Sequence, residues 1–473
     1  MPFYNLKRAL SYLFRFKSHT VYSLLGLTIG LACVFVISAW TIHELRYDRF
    51  HRQADQIFMV TTDIQNNNKS TYRMPETPAP LAAELAAQIP HIESSFHFVY
   101  LYGGRVLTSG SQTFKEQGIA VDSKFLEVLN FSLLSGSPDL LNEPDVIFLS
   151  ERLAAKLFPD ENAVGNSLIY KEDLGLTVKG IFSNVPNNSS LQFDFLIPYQ
   201  NESENVNEWW QLSDATFIRL SQQADEADVL HSMKKVWREH ITDSQFEVGL
   251  IALPSLRYGA QFEFFNAEHG DPKKLYLFIG IALLILILSC LNYMNLVSAY
   301  YVKRQKEIWI RKVHGARSGN ILSYFLTESI LMSVIAWLIA ILLSILGSRF
   351  LGRLMEVNIS LNYLVLSMGL GFFVSILIVG LASGAYPAIR LGSGMLKRSG
   401  QDGAKDHNYQ QRLRHAFFLS QFFLSITLTN SSLVILHQIN FMKNFEVGYS
   451  KENIVGVNLP PEVTEDIGAI RNK

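Results

Sequence analysis

The chain has 473 residues, of which 48% are hydrophobic, and its formal net charge at pH 7 is −1. This balance excludes a nucleic-acid-binding protein, which requires a concentrated basic face. The apolar residues gather into runs long enough to cross a bilayer, which takes about 20 residues. Both cysteines, Cys33 and Cys290, lie inside such runs, so neither a disulfide framework nor a thiolate zinc site in a soluble domain is expected.

The first predicted elements are a surface helix and a membrane span. In residues 1–19, apolar side chains recur at helical spacing among four basic residues and no acidic ones, which is typical of an amphipathic helix on the cytoplasmic membrane surface. Residues 20–42 contain no charged residue and predict the first transmembrane helix. Within it, Gly26 and Gly30 lie one turn apart, a spacing that lets two helices approach closely, although glycine is also common in membrane helices without that role.

Residues 43–274 predict one extracytoplasmic domain. Patterns typical of strands and of helices alternate along it, which indicates an α+β fold in one large domain or two small lobes. Strands are predicted at residues 56–63, 96–101, 113–121, 168–170, 176–182 and 216–220, and helices at residues 80–89, 124–129, 151–157 and 225–237. Ser150 is expected to cap the third helix, and the strands at 168–170 and 176–182 are expected to form a hairpin.

The rest of the chain predicts four more transmembrane helices, which makes five in all. They span residues 275–302, 322–347, 363–389 and 416–436. A cytoplasmic loop at 303–321 and a cytoplasmic linker at 390–415 join them, and 437–473 is predicted to begin a second extracytoplasmic region. Gly380 and Gly384 repeat the small-residue spacing of the first span and predict another close helix contact. The predicted fold is an α-helical membrane protein with a large extracytoplasmic α+β domain.

The loop at residues 303–321 determines the predicted orientation. It holds six lysines and arginines against one acid, Glu307, and an excess of basic residues marks the cytoplasmic side of a membrane protein. The N-terminus and the linker at 390–415 are also basic, so all three are predicted to lie in the cytoplasm. The loop has the pattern of a short helix that ends at Gly315. It is either a topological anchor or a docking surface for a soluble partner.

The order of the segments indicates an internal repeat. A basic stretch, one span and a polar outer segment occur at residues 6–60 and again at 411–459. The fifth span therefore corresponds to the first span of a second repeat. This predicts a truncated chain or a fragment of a two-repeat protein. A single-repeat protein with one additional span is the alternative.

No motif in the sequence indicates catalysis. There is no P-loop, no His-Glu-x-x-His pattern and no Gly-x-Ser-x-Gly elbow. The acidic residues of the outer domain are scattered, with no spacing that would pair two of them as acid and base. We therefore expect no catalytic, cofactor-binding or metal site in this chain, and no enzymatic activity.

Several stretches resemble the FtsX-like ABC transporter permeases that carry a MacB-like periplasmic core domain. The stretches are LLGLTIGLA at 24–32, ELRYDRFH at 44–51, FLSERLAAKLF at 148–158, VG at 164–165, VKGI at 178–181, VPNNS at 185–189, LNYMNL at 291–296 and KEIWIRKVHGA at 306–316. The last is the most specific, and Trp309 and His314 depart from its usual pattern. The resemblance covers nearly the whole chain and is to the N-terminal part of a long two-repeat member.

The resemblance implies that the membrane helices transmit motion and form no pore. A separate cytoplasmic ATPase subunit is expected to dock under the permease and to bind and hydrolyse ATP, so that the chain itself holds no cofactor. The resemblance assigns the docking contact to Glu307, Ile308, Ile310, Arg311, Lys312, Gly315 and Ala316.

The resemblance also implies a location and a function. The chain is expected in the bacterial cytoplasmic (inner) membrane, beside a second permease copy or a paralogue and in contact with an extracytoplasmic accessory protein. Export or extraction of a lipoprotein, peptide or drug-like substrate is the expected activity. The alternative is a device of the same architecture that transports nothing, and instead regulates a cell-wall hydrolase or senses antimicrobial peptides.

Overall fold

The computed structural model describes residues 17–65, 71–110, 112–159, 161–171, 174–202, 207–259, 270–303, 310, 313–315, 318–355 and 402–445. It has two parts, a set of long apolar helices and an α+β domain inserted between the first and second of them. Most of the predicted surface helix at 1–19 and the whole predicted span at 363–389, with Gly380 and Gly384, lie outside the described residues.

Eight α-helices are described. They are α1 (Lys17–Leu45), α2 (Leu81–Gln88), α3 (Ser123–Leu129), α4 (Glu151–Leu157), α5 (Glu226–His240), α6 (Pro272–Lys303), α7 (Ser318–Met355) and α8 (Asp402–Asn444). Short 3-10 turns lie at Ala54–Gln56, Pro138–Asn142, Tyr199–Asn201 and Leu253–Ser255.

The helices α1, α6, α7 and α8 each contain a stretch that is long and apolar enough to cross a membrane. The stretches are Thr20–Leu45, Pro272–Val297, Gly319–Gly347 and Phe418–Asn444. They coincide with four of the five predicted spans, and the total of five stays a prediction.

Two membrane helices extend beyond their predicted ends. The helix α8 begins at Asp402, so the second half of the predicted flexible linker at 390–415 is helical, and its last turns enter the segment at 437–473 that was predicted as a new outer region. Similarly, α7 continues to Met355, past the predicted end at residue 347. The physical reason is the same in both cases. A polar composition does not end a helix, and these extensions contain no proline and only one glycine each.

The outer domain contains fourteen strands among its described residues. They are β1 (Ile57–Gln65), β2 (Thr71–Met74), β3 (Glu76–Pro78), β4 (Ile92–Tyr100), β5 (Arg105–Ser109), β6 (Gln112–Glu116), β7 (Gly118–Val121), β8 (Leu133–Ser135), β9 (Val146–Ser150), β10 (Ser167–Tyr170), β11 (Leu174–Phe182), β12 (Phe195–Pro198), β13 (Leu212–Leu220) and β14 (Phe246–Ala252).

All of these strands belong to one mixed sheet. Its main path runs β14-β1-β13-β4-β7-β12-β9-β11-β10-β5-β6, and β2, β3 and β8 pair with β1, β13 and β11. The pairs β9–β11 and β7–β12 are parallel, and the other pairs are antiparallel. Because a single sheet runs through the whole segment, the structure favours one large domain over two separate lobes.

Buried aromatic side chains form the centre of the domain. Phe96 and Phe98 on β4, Phe217 on β13 and Phe125 on α3 are each at most 1% exposed. The ring centroids of the two β4 residues lie 5.6 to 5.8 Å from those of Phe217 and Phe125. Rings at this separation contribute packing energy beyond the area that they bury. The cluster therefore fixes α3 against the middle of the sheet.

Side chains that cap the helices explain where several of them begin. The predicted cap is confirmed, since Ser150 Oγ accepts a hydrogen bond from Leu153 N at 3.1 Å. The hairpin is also confirmed, with Leu168 opposite Leu176 in the β10–β11 pair. Asp122 and Asp225 cap α3 and α5 in the same way, which satisfies amide groups that a helix end leaves without partners.

Candidate functional site

The helix α1 packs closely against α6 at the two glycines singled out in the sequence. A Cβ atom added to Gly26 would collide with the side chain of Asn292, and one added to Gly30 would collide with that of Ser289. Between these glycines, Leu27 is 1% exposed. The lack of a side chain at both positions therefore allows the backbone of α1 to approach α6, which is the geometry that the small-residue spacing predicts.

Polar contacts connect the other membrane helices. Ser344 Oγ on α7 lies 3.2 Å from the carbonyl oxygen of Ala32 on α1. Asn295 on α6 is 5% exposed, and its Nδ2 donates to Gln421 Oε1 on α8 at 3.0 Å. Hydrogen bonds between helices in an apolar environment contribute about 0.6 kcal/mol on average. They position α7 and α8 beside the α1–α6 pair.

The outer end of α1 meets the outer domain in a network that we call the joint. It comprises residues 44–51 at and after the end of α1, residues 187–190 between β11 and β12, and residues 257–258 shortly before α6. Each of the three segments hydrogen-bonds to at least one of the others, so the joint connects both helices that flank the domain to the domain itself.

The first half of the joint is a buried ion pair. Arg257 Nε lies 3.0 Å from Glu44 Oε2, and Arg257 Nη2 lies 3.1 Å from Glu44 Oε1. Both side chains are 8% exposed. Tyr258 Oη donates to Glu44 Oε2 at 2.9 Å, and burial together with Glu44 raises the pKa of Tyr258, which keeps its proton. The Arg257 guanidinium also lies 4.1 Å from the ring centroid of Tyr47. This bidentate geometry fixes orientation as well as distance.

The second half of the joint is a cradle around Asp48. This residue is completely buried, and its carboxylate accepts hydrogen bonds from Ser190 N at 2.7 Å, Ser190 Oγ at 2.5 Å and Ser189 Oγ at 3.3 Å. The backbone adds two links, because Asp48 N donates to Asn188 O at 2.9 Å and Tyr47 Oη donates to Asn187 O at 3.0 Å. Through these hydrogen bonds, the loop at 187–190 holds the segment that follows the end of α1.

Burial controls the charge state of the groups in the cradle. Desolvation raises the pKa of Asp48 to about 6, although the hydrogen bonds from Ser190 and Ser189 and the charge of Arg257 oppose this shift. Burial lowers the pKa of His51 to about 4, so this ring is neutral at pH 7. Its Nδ1 contacts the carbonyl oxygen of Leu129, and its ring lies 5.1 Å from that of Phe131. Both contacts attach the chain after α1 to α3 and the segment that follows it.

The start of α6 is also held against the joint. Gly270 N donates to Arg257 O at 2.7 Å, two residues before α6 begins. Further along both helices, the rings of Trp40 on α1 and Phe278 on α6 contact each other in a tilted arrangement, with centroids 4.7 Å apart. The two helices thus enter the domain side by side, and the joint is shared between them.

Only part of the predicted docking segment lies within the described residues. Glu307, Ile308, Arg311, Lys312 and Ala316 lie outside them. Ile310 and Val313 are 52% and 64% exposed, and Gly315 has a φ of +82°, the left-handed conformation with which glycine commonly ends a helix. His314 N donates to Ile310 O at 3.1 Å. These residues form a helical turn with exposed apolar side chains, and the docking role stays a prediction.

Two segments of the joint, residues 44–51 and 185–189, lie in stretches that carry the family resemblance. The sequence alone does not show that these segments meet. Arg257 and Tyr258 were missed, and no local signal could have found them, because only the fold brings them to Glu44. Within the part of the chain that is described, no group of three or more His, Cys, Asp or Glu side chains could hold a metal ion.

Comparisons with known proteins cover both parts of the molecule. Residues 20–236 match the family described as MacB-like periplasmic core domain, and residues 279–393 match the family described as FtsX-like permease C-terminal. The chain is 23% identical over 381 residues to a macrolide export ATP-binding/permease protein MacB of Nitrobacter winogradskyi, covering 78% of this chain and 56% of the relative. It is 28% identical over 283 residues to the pyoverdine export ATP-binding/permease protein PvdT of Pseudomonas aeruginosa, covering 56% and 39%.

A solved structure also matches the chain. The periplasmic region of MacB from Actinobacillus actinomycetemcomitans aligns at 14% identity with a TM-score of 0.33, over 41% of this chain and 89% of that one. The chain spans about half the length of the curated relatives that it matches. The helix α8 lies beyond both family matches, which end at residue 393.

Proposed function

Because the chain belongs to the FtsX-like permease family with a MacB-like periplasmic core domain, we propose that it is the membrane permease component of an ABC transporter. In this proposal ATP is bound and hydrolysed by a separate subunit in the cytoplasm. The chain holds no cofactor and performs no catalysis itself. Its membrane helices pass the motion of the ATPase to the outer domain.

The observation that carries this proposal is the joint. A helix can move a domain only if the connection between them is stiff. Here the end of α1 is fastened by the buried Glu44–Arg257 pair and by the Asp48 cradle, and the carbonyl oxygen of the same arginine accepts a hydrogen bond from Gly270 N, two residues before α6. In the proposal, these contacts transfer a displacement of the α1–α6 pair to the domain.

The exposed turn at residues 310–315 supports a contact with the ATPase at the other end of the helices. Ile310 and Val313 present apolar surface there, and they belong to the segment for which the family resemblance implies docking. In the proposed orientation this turn and the N-terminus lie in the cytoplasm and the outer domain lies outside the inner membrane. A second permease copy or a paralogue completes the membrane assembly, and an accessory protein contacts the outer domain.

The proposed substrate is exported or extracted from the outer side of the membrane. The relatives are named as exporters of a macrolide and of pyoverdine, which favours a lipoprotein, a peptide or a drug-like molecule of comparable size. No observation favours the alternative of a signalling device that transports nothing.

A co-purification experiment separates docking from transmission. The tagged full chain is isolated from membranes as the parent, as Glu307→Ala with Arg311→Ala, and as Glu44→Gln. We expect the parent to retain an ATPase subunit, the first variant to lose it, and the Glu44→Gln variant to retain it. ATP is then added, and hydrogen exchange of the outer domain is measured. We expect an ATP-dependent change in the parent and none in Glu44→Gln.

The matched control is Arg238→Gln, which removes an exposed charge of the outer domain away from the joint, 3.4 Å from Glu247. It should behave like the parent in both measurements. If the parent captures no ATPase, the permease proposal is wrong. If Glu44→Gln still shows the full ATP-dependent change, transmission does not pass through the joint.

A further inference from the structure

Five basic side chains lie where the membrane helices emerge into the outer domain. They are Arg46, Arg49, Arg52, Lys273 and Lys274, and all of them are exposed; we call them the basic collar. Arg46, Arg49 and Arg52 follow the end of α1, and the two lysines lie in the first turn of α6. Because α1 and α6 are neighbours at this level, the collar belongs to one region of the surface.

The aromatic side chains define the depth of the collar in the membrane. The rings of Trp40 and Phe278 contact each other, and Tyr276 is 72% exposed. Trp and Tyr side chains concentrate at the boundary between hydrocarbon and headgroups. At 1.5 Å per helical residue, Arg46 lies about 9 Å beyond Trp40 and Lys274 lies about 6 Å beyond Phe278. This distance is comparable to the headgroup layer, which is about 5 to 7 Å thick on each side.

Among the residues that the structure describes, the acidic side chains near the collar do not cancel its charge. Glu44 is paired with Arg257, and Asp48 is buried in the cradle. Asp271 is exposed and accepts a hydrogen bond from the backbone of Lys273. Asp55 is exposed and lies 3.9 Å from Arg49. The five basic side chains of the collar therefore outnumber the exposed acidic residues Asp55 and Asp271, which leaves a net positive charge among the described residues at the helix ends.

The rest of the outer domain has the opposite charge. Residues 46–271 contain 17 lysines and arginines against 31 aspartates and glutamates, although three of those 17 belong to the collar. A domain with this excess of acid is repelled by an anionic bilayer. In the proposed orientation, basic residues on the outer side also contradict the usual distribution of charge around spans. The usual distribution of charge therefore does not explain why these basic residues lie at the outer ends of α1 and α6.

We propose that the basic collar binds the headgroups of anionic phospholipids in the leaflet on the domain side of the membrane. The phosphates pair with the arginines and lysines around the outer ends of α1 and α6, while the acidic body of the domain is held away from the bilayer. The collar thus sets the height and tilt of the domain at the point where the joint receives motion from the helices. This inference requires only that the chain spans a membrane, and it is independent of an ATPase partner.

The test measures which lipids the full chain retains. The protein is reconstituted in nanodiscs that contain equal amounts of phosphatidylcholine and phosphatidylglycerol, then extracted, and its bound lipids are counted by native mass spectrometry. The variant Arg52→Gln/Lys273→Gln/Lys274→Gln removes three collar charges without touching the joint. Since each cation near an anionic surface adds to the attraction, we expect the preference for phosphatidylglycerol to fall by about tenfold or more.

The control variant carries the same change in net charge at exposed lysines away from the helix ends, Lys115→Gln/Lys179→Gln/Lys235→Gln. It should retain the preference of the parent. Equal preference in the collar variant and the parent would overturn the proposal, as would an equal loss in both variants. Displacement of the lipid by free glycerophosphate would also overturn it, because a site for soluble phosphate is then present.

A second measurement keeps the proposal testable if the collar variant does not fold. In the parent, raising the salt concentration should reduce the preference for phosphatidylglycerol, because exposed charges are screened over about 10 Å at 0.1 M ionic strength. A preference that does not change with salt would contradict an electrostatic collar.

Discussion

At the scale of single residues, the backbone of Asp48 adopts an unusual conformation. Its φ is +57°, a left-handed value that residues with a Cβ rarely adopt, apart from Asn and Asp. Asp48 lies three residues after the end of α1, and its amide donates a hydrogen bond to the carbonyl of Asn188. Asparagine tolerates the same backbone and can replace the carboxylate with a neutral group. The variant Asp48→Asn therefore isolates the effect of charge from that of shape.

The first prediction concerns pH. The pKa of Asp48 rises from 3.8 to about 6 in the folded protein, so the native state holds this proton more tightly than the unfolded state. The resulting stabilisation is present below about pH 4 and is lost as the pH rises through about 6. At 1.36 kcal/mol per pKa unit its upper limit is about 3 kcal/mol.

Denaturant midpoints of the parent and Asp48→Asn at pH 4.5 and 7.5 measure this effect, since other groups titrate equally in both proteins. We expect the variant to show less loss of stability between the two values of pH. An identical pH dependence in the two proteins would mean that Asp48 is ionised throughout.

The second prediction concerns the buried ion pair. Replacing Glu44 by Gln leaves the Arg257 guanidinium buried without its counter-charge, and removing one partner of such a pair costs about 3 to 5 kcal/mol. The double variant Glu44→Leu/Arg257→Met should recover much of this loss, since an apolar pair of similar volume avoids the desolvation penalty. Urea unfolding of the full chain measures the free energy of unfolding of the parent, of Glu44→Gln and of the double variant.

The exposed pair of Arg49 and Asp55 is the control for this measurement. Its side chains are 56% and 81% exposed, and such pairs contribute about 0 to 1 kcal/mol. Arg49→Gln should therefore change the free energy of unfolding little. A loss as large as that of Glu44→Gln would show that charge near the helix end, and not the buried geometry, stabilises the joint.

Residue-level features were predictable where they are local. The Ser150 cap follows from a short polar residue ahead of an apolar helical pattern, and the distance between Gly26 and Gly30 is a property of any helix. Glu44 and Arg257 are separated by most of the outer domain in the sequence. Their pairing depends on the register of the sheet, which no local pattern contains.

At the scale of elements, the α1–α6 contact gives the third prediction. Gly30→Leu introduces a side chain into space that Ser289 occupies, and overpacking of this kind costs typically 1 to 3 kcal/mol. Gly280→Leu on α6 is the matched control, because nothing lies within 4 Å of a Cβ at that position. Thermal unfolding of the full chain should distinguish the two variants, with the loss confined to Gly30→Leu. Equal midpoints would mean that α1 and α6 are not tightly packed at Gly30.

The attachment of α8 gives the fourth prediction. Gln421 accepts a hydrogen bond from Asn295 on α6, whereas the amide of Asn430 donates to Ile426 O of its own helix. Gln421→Leu should therefore weaken the contact between helices by about 0.6 kcal/mol, and Asn430→Leu should leave it unchanged. Cross-linking yield between cysteines placed on α6 and α8 measures the contact. An equal effect of the two substitutions would contradict the pairing.

Two of the strands that sequence analysis missed, β9 and β12, share a physical cause. In β9 and β12 every residue is buried, so neither shows the alternation of apolar and polar residues by which a half-buried strand is recognised. Strand β11 alternates along most of its length, and was predicted. The mistaken boundary of α8 has a different cause, since polarity was interpreted as a linker although the residues before the span are compatible with a helix.

At the scale of the whole molecule, the sequence predicted the division into membrane helices and an α+β domain, because apolar runs and polar segments differ in composition. It left open whether the domain is one unit or two. That question depends on strand pairing between segments distant in the sequence. In the structure, the fourteen described strands all belong to one sheet, which favours one unit. The joint could not be predicted for the same reason, since it consists of segments that meet only when that sheet is complete.

The pairing of β1 has a consequence for how the protein is made. The second half of this strand pairs locally with β2, but its first half pairs with β13, and its other edge pairs with β14, where Phe58 lies opposite Ala252. One edge of β1 and half of the other thus stay open until nearly the whole domain has been synthesised and has crossed the membrane. Contacts this distant in sequence form slowly and leave unpaired edges exposed meanwhile. The domain can complete its sheet only shortly before α6 inserts, so a delay in translocation is a delay in folding.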